Sequence, residues 1–229
     1  MINLQDSTIE KLTISHGQLY APCAGLDIGI ALKLFGNKVQ SFTFCDIAYK
    51  TRSISAKKYI PKELHRWTLK SRTESYDNLK PMKISLNGNK PFRVSSVTEI
   101  WLRPDNSEVE INFVRDLAED VLIEHFQSSS ISVFMHINDG ESEGGSDLWF
   151  LASKQKEYSN SKNTKMYLKE VSERLADNAI IITDCILADN KFRTNLPFKL
   201  LNKFWHPIGK LQNNRVSDRV PKLWYALTN

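Results

Sequence analysis

Cysteine is scarce: Cys23, Cys45 and Cys185 are the only three in a chain of 229 residues. They lie far apart, each in an apolar context and without a paired spacing. That argues against a disulfide framework or a zinc knuckle and fits a reducing compartment, with buried, chemically quiet thiols expected. No apolar run approaches the roughly 20 residues that a membrane-spanning helix needs. Residues 1–20 carry Asp6, Glu10 and Lys11 and no long apolar stretch, so no secretory leader is expected either. Gly-x-Ser-x-Gly, a Walker A lysine loop and His-Glu-x-x-His are all missing, which argues against serine-hydrolase, P-loop and zincin chemistry. Glycine is sparse too, at nine residues, so the places where it gathers carry information. What remains is ordinary globular composition, 41% hydrophobic and 25% charged, which excludes collagen, coiled coil and wholesale disorder. The expectation is a cytoplasmic protein whose residues 1–229 form a single domain.

Charge is present in both signs, with a net of +5, but it is unevenly placed. Lys50, Arg52, Lys57, Lys58, Lys62, Arg66, Lys70 and Arg72 face only Glu63, so the 50–72 window is +7 and the rest of the chain −2. Tyr49, Tyr59 and Trp67 are interleaved with these cations. Such a segment can hold phosphates by charge and bases by stacking, which nominates nucleic acid or another polyanion as a partner. A solvated surface with snorkelling lysines is the alternative.

Along the chain, residues 6–15 read as a short leading helix, and Gln18–Pro22 as a strand stopped by proline. Leu26, Ile30 and Leu34 recur at helical spacing until Gly36-Asn37 closes the helix. Gln40–Asp46 is aromatic and alternating, a second strand, so the first forty residues after the leader spell strand–helix–strand. Residues 80–103 read as an inserted hairpin region with Asn87-Gly88 as its turn, giving an inserted β-region at about 50–105 together with the basic segment. Leu117, Val121, Leu122 and Phe126 mark a helix; Ile131–Ile137 is a near-continuous apolar run typical of a strand buried on both faces. Tyr167, Val171 and Leu175 predict another helix, Ala179–Asp184 a second buried strand, and Leu196–Leu201 a short helix. Phe204–Leu211 and Lys222–Leu227 read as two terminal strands around a polar turn.

The predicted fold class is therefore α/β and Rossmann-like: a mostly parallel twisted sheet flanked by helices, with an antiparallel C-terminal β-hairpin. That closing hairpin resembles the class I S-adenosylmethionine-dependent methyltransferases, and the likeness is architectural rather than a match of motifs. The resemblance implies a nucleoside cofactor, S-adenosyl-L-methionine, held at the first loop and at the end of the second strand. Ala24 and Gly25 stand where the family's glycine-rich turn lets backbone approach the cofactor. Gly29, one helical turn later, would permit tight helix–strand packing. Asp46 lies 21 residues after Gly25, where a carboxylate can accept both ribose hydroxyls.

Further along, Asn138 and Asp139 follow the most apolar strand and match the place where the family presents a polar residue to the methyl acceptor, there to orient an amine and accept its proton. Gly140, Gly144 and Gly145 are three of the nine glycines and imply unusual backbone angles, a nest of amide donors for an anion. Lys57, Lys58, Gly144, Gly145 and Asp184 are the candidate substrate-binding residues, Asp184 because it ends a strand on the same side of the sheet. Asp139, Glu141, Glu143 and Asp147 form an oxygen-rich cluster, but its spacing is not that of an EF-hand, and no metal ligand is assigned. His136 reads as a core histidine. Three functions stay open: methyl transfer to an anionic or nucleic-acid acceptor, a non-catalytic Rossmann-like module binding a nucleotide or protein, and a metal-dependent phosphodiester or nucleotide enzyme built on the 138–147 loop. A thermal-shift panel of nucleosides and divalent cations separates them.

Overall fold

The computed structural model describes residues 3–4, 14, 17–25, 28–80, 91–137, 169–183, 198–200, 203–213 and 222–228. In chain order its elements are β1 (Asn3–Leu4), β2 (Gly17–Ala21), α1 (Ile28–Phe35), β3 (Val39–Cys45), β4 (Thr68–Lys80), β5 (Phe92–Leu102), β6 (Glu108–Arg115), α2 (Ala118–His125), β7 (Ile131–His136), β8 (Leu175–Thr183), β9 (Phe198–Leu200), β10 (Lys203–Asn213) and β11 (Lys222–Thr228). They fall into two compact units, Gln18–His125 and the combination of Met1–Gly17 with Phe126–Asn229. Of the leading helix expected over residues 6–15, all but residue 14, which is not helical, lie outside the described residues.

In the Gln18–His125 unit the strands run in the order β2-β3-β6-β5-β4. β3 and β6 are parallel, with Phe44 opposite Phe113, while β5 is antiparallel to both β6 and β4. Helix α1 connects β2 to β3 and buries Ile28, Ile30, Ala31, Leu32, Leu34 and Phe35. Only its Gly29 and Lys33 escape that apolar wrap, so this helix is held by packing rather than by its short length. Phe42, Phe44 and Phe113 are all fully buried, and the Phe44 and Phe113 rings stack at 5.7 Å. Each such side chain contributes about 1.5–3 kcal/mol by leaving water.

β6 is a strand at a place where the sequence predicts none. Val109, Ile111 and Phe113 are buried while Glu108 and Glu110 are exposed, the period-two alternation of a half-buried strand. The inserted hairpin also begins earlier than expected, at Thr68, so Lys70 and Arg72 of the basic segment stand in β4. β4 is the last strand of this order, and its pairing with β5 slips twice, between Leu69 and Ser71 and between Tyr76 and Leu79.

In the other unit the order is β1-β10-β11-β8-β7, with β9 against β10. β7 and β8 are parallel, and residues Ala179–Thr183 of β8 are all buried, as a strand covered on both faces requires. The C-terminal hairpin β10–β11 is antiparallel and sets β11 antiparallel to β8. That combination of parallel strands with a closing antiparallel hairpin is the Rossmann-like α/β arrangement expected from the sequence. Two details differ. The helix expected through Leu175 ends at residue 174, because Leu175 already pairs with Ile131 as the first residue of β8. The short helix expected at Leu196–Leu201 gives way to β9, where Phe198 and Leu200 pair with Trp205 and Lys203.

Candidate functional site

The turn after β2 and the end of β3 meet. Ala24 continues the strand pairing, its N–H donating to the Cys45 carbonyl at 3.1 Å. Gly25 follows with φ +49°, a left-handed conformation that costs other residues a Cβ–carbonyl clash. In that conformation its N–H donates to Asp46 Oδ2 at 2.9 Å. The other oxygen, Oδ1, accepts from the Ala48 N–H at 2.7 Å. Asp46 is further pinned through its own N–H, which reaches the Val114 carbonyl at 3.0 Å, while Arg115 Nε holds the Ile47 carbonyl at 3.0 Å. Ala24, Gly25 and Asp46, the residues singled out by their spacing in the sequence, are thus brought together within one unit. Each carboxylate oxygen has two acceptor positions and one backbone donor, from Gly25 and from Ala48. Asp46 also fixes the 46–48 turn.

Gly29 departs from expectation. A Cβ there would stand 3.1 Å from the Tyr59 carbonyl oxygen, so the glycine admits the loop after β3 rather than a strand. That loop carries the basic segment, built on two single 3-10 turns, Ala56–Lys58 and Lys62–Leu64. Lys50, Arg52, Lys57, Lys58, Lys62, Arg66 and Lys70 are exposed. The Lys57 N–H is capped by Ser55 Oγ, and Lys58 Nζ donates to the Ser53 carbonyl at 3.1 Å.

Two features of this segment differ from what its composition predicts. Tyr49 and Trp67 are buried, at 6% and 5% exposure, so neither offers a face for a base to stack on; Tyr59 is only partly exposed. Arg72 is not a surface cation but the counter-charge of Glu99, which lies fully buried between Val97 and Trp101 on β5. Arg72 and Glu99 are directly opposed across β4 and β5, with Nη1 2.6 Å from Oε1. The guanidinium also donates to the Ile54 and Thr51 carbonyls, and Glu99 Oε2 accepts from the Ala56 N–H and the Trp101 indole. This network ties the 51–56 loop to the hairpin.

The thiol of Cys45 is buried and donates to the Asp116 carbonyl at 3.2 Å. Burial, with Asp116 and Asp46 nearby, pushes that thiol well above its ordinary range, so it is the quiet cysteine expected rather than a nucleophile. Asp116 itself is buried against Lys80, which also contacts Asp120. Burial opposes the Lys80 charge, but its hydrogen bonds to Asp116 and Asp120 outweigh that and hold the ammonium above its ordinary value. His136 is 2% exposed at the end of β7, in keeping with a core histidine. Asn138, Asp139, Gly144, Gly145 and Asp184, together with Cys185 and the acidic loop, lie outside the described residues. Among the described residues no cluster of His, Cys, Asp and Glu is placed to hold a metal ion, and no helix is long and apolar enough to cross a membrane.

No protein-family model matches the chain, and neither does any curated protein. Among solved structures it is similar to an rRNA methylase from Streptococcus thermophilus, at 7% identity and a TM-score of 0.40, over 98% of this chain and 92% of that one. It is also similar to a Listeria monocytogenes protein assigned as an S-adenosylmethionine-dependent methyltransferase, at 6% identity and a TM-score of 0.38, over 97% of this chain and 96% of that one.

Proposed function

We propose that the chain is a cytoplasmic transferase of the S-adenosylmethionine-dependent class, with residues 1–229 working as one Rossmann-like domain. The observation that carries the reading is the Asp46 carboxylate, fixed at a strand end by the N–H groups of Gly25 and Ala48. Ala24 and Gly25 bring backbone close to a ligand, and Asp46 accepts from the hydroxyls of its ribose. When bound, the cofactor supplies an electrophilic methyl group on a sulfonium sulfur. The chain's own share is alignment, with Asn138 and Asp139 orienting the acceptor and Asp139 taking its proton. Lys57 and Lys58 on the basic loop, with Gly144, Gly145 and Asp184, bind the acceptor, whose class is anionic and includes nucleic acid. Support for a polyanion comes from the exposed lysines of the 50–70 segment.

Thermal shift and calorimetry with S-adenosylmethionine, S-adenosylhomocysteine, NAD, ATP, Mg²⁺ and Mn²⁺ test the assignment. A ligand of the native state raises the melting midpoint by mass action. Stabilisation by the two adenosyl compounds, abolished in Asp46→Ala, is the expected result. Stabilisation by a divalent cation alone would move the function to the metal-dependent class. Binding of the nucleoside without methyl transfer to any polyanion would leave a binding module.

A further inference from the structure

β4 is exposed along most of its length, at Thr68–Ser71, Thr73–Asp77 and Leu79, and among the described residues no strand pairs its outer edge. Such an edge carries backbone N–H and C=O groups that a further strand can engage. Opposed residues of an antiparallel pair share a face, so the face of each β4 residue follows from its β5 partner. Leu69, Arg72, Glu74, Tyr76 and Leu79 oppose Trp101, Glu99, Val97, Ser95 and Arg93, alternate residues of β5 that lie on one face. On β5 that face is covered: Ser95, Val97, Glu99 and Trp101 are buried. The cover stops at β4, where Leu69, Tyr76 and Leu79 are 46%, 40% and 60% exposed.

The two irregularities give this row of five residues a symmetry. Its steps are three, two, two and three residues, so it reads the same in both directions from Glu74. A two-fold interface brings residue i opposite j and j opposite i. With the axis at Glu74, Leu69 of each copy opposes Leu79 of the other, Arg72 opposes Tyr76, and the irregular steps coincide. The charges agree with that pairing. Lys70 and Arg72 lie on one side of Glu74 and Asp77 on the other, so antiparallel approach joins a basic half to an acidic half and sets Lys70 alongside Asp77. Within the chain Lys70 is held only by Glu108, an exposed pair of little worth. Glu74 faces its own copy, which alone would be repulsive. Each carboxylate arrives with a guanidinium, however, since Glu74 Oε1 accepts from Arg72 Nε and Nη2 at 3.3 and 3.0 Å.

We propose that β4 is a dimerisation edge: two copies of the chain pair antiparallel through it, about a two-fold axis at Glu74, and each Leu69 is covered by Leu79 of the other copy. The pairing consumes both outer edges and closes at two chains.

Sedimentation velocity on the full chain over a dilution series tests it. The parent should sediment at twice 26.3 kDa and dissociate on dilution. A chain carrying Leu69→Lys with Leu79→Lys, and one carrying Leu69→Asp with Leu79→Asp, should each sediment as single chains, because like charges then meet twice across the axis. Mixing the two should restore the dimer. Circular dichroism should show both folded, since these side chains already face water. A cross-link reads the register separately. Directly opposed residues have Cα atoms about 4.5–5.5 Å apart, within disulfide reach. Glu74→Cys should therefore form a disulfide-linked dimer under mild oxidation, above the background of the parent's own cysteines, and the exposed Lys57→Cys should not. A parent that stays a single chain at every concentration overturns the proposal and leaves the edge to another protein's strand. A dimer that survives either charged double substitution, a mixture that stays monomeric, or equal cross-linking at positions 57 and 74 overturns it as well.

Discussion

Replacing Arg72 with leucine tests whether a cation that the sequence places in the basic patch belongs to the interior. The substitution leaves Glu99 with no exposure and removes the guanidinium 2.6 Å from its Oε1. Oε2 keeps the Ala56 N–H and the Trp101 indole, each at 3.0 Å. Breaking a buried ion pair from one side costs about 3–5 kcal/mol, because a charge is left without compensation. The Arg72 side chain is 24% exposed, so water reaches part of the vacated space and the lower figure, about 3 kcal/mol, applies. For a chain of this size that is a melting midpoint lower by roughly 6–12 °C. Thermal unfolding followed by circular dichroism measures it, with Lys57→Leu, an exposed neighbour, as the control expected to move stability by less than about 0.5 kcal/mol. In a Glu99→Gln background the cost of Arg72→Leu should shrink by about 1–3 kcal/mol, the coupling typical of contacting charged groups. A midpoint for Arg72→Leu within error of the parent, or no difference between the two backgrounds, would refute the structural role.

Four further outcomes are expected. Cys45 should resist iodoacetamide at mildly alkaline pH in the folded chain and react once guanidinium unfolds it, and mass spectrometry of the labelled peptide reads the difference. The Tyr49 phenol is raised in the folded state by burial and by Asp46, so it leaves stability unchanged below the ordinary tyrosine value of about 10 and lowers it as pH rises from there toward the raised folded value. Tyr49→Phe should then lose less stability than the parent across that alkaline range, and parallel denaturant curves that stay parallel would contradict this. Gly25→Ala should cost roughly 1–2 kcal/mol by denaturant titration, from the left-handed backbone alone, because a Cβ there would sit 3.8 Å from Asp46 Oδ2 without a clash. Reversing Lys57, Lys58 and Lys62 to glutamate should weaken binding of an RNA oligonucleotide and flatten its salt dependence, while an unchanged isotherm would leave the segment a solubilising surface.

Much of the sheet can be read from the sequence because its strands are written in hydrophobic residues. Ile131–His136 and Ala179–Thr183 are apolar almost throughout, and the terminal hairpin alternates around a polar turn. β6 is just as regular in its alternation, but Glu108, Glu110 and Asn112 dilute it, and it follows a Pro-Asp-Asn break that reads as the end of an insertion. The helix before β8 is over-extended because Leu175 fits both a helical period and a strand start, and only its pairing with Ile131 decides. The Gly25–Asp46 juxtaposition follows from spacing alone, since a strand–helix–strand unit fixes where its loop and its second strand end. Tyr49 and Arg72 could not be placed in that way. Their burial depends on partners 64 and 27 residues away, Phe113 and Glu99, and interleaved aromatics and cations look the same whether they face water or the core.

The double slip in the β4–β5 pairing has a consequence for how the chain behaves at high concentration. β4 is thirteen residues long, and among the described residues no strand pairs its outer side. Leu69 and Leu79 are 46% and 60% exposed along it. A straight strand of that length would be a template for edge-to-edge aggregation. The irregularities after Leu69 and after Tyr76 leave Ser71–Tyr76 as the longest run in regular register, bracketed by Lys70 and Asp77. Both leucines stand outside that run, so a foreign strand that covered them would have to follow the same two irregularities in the edge.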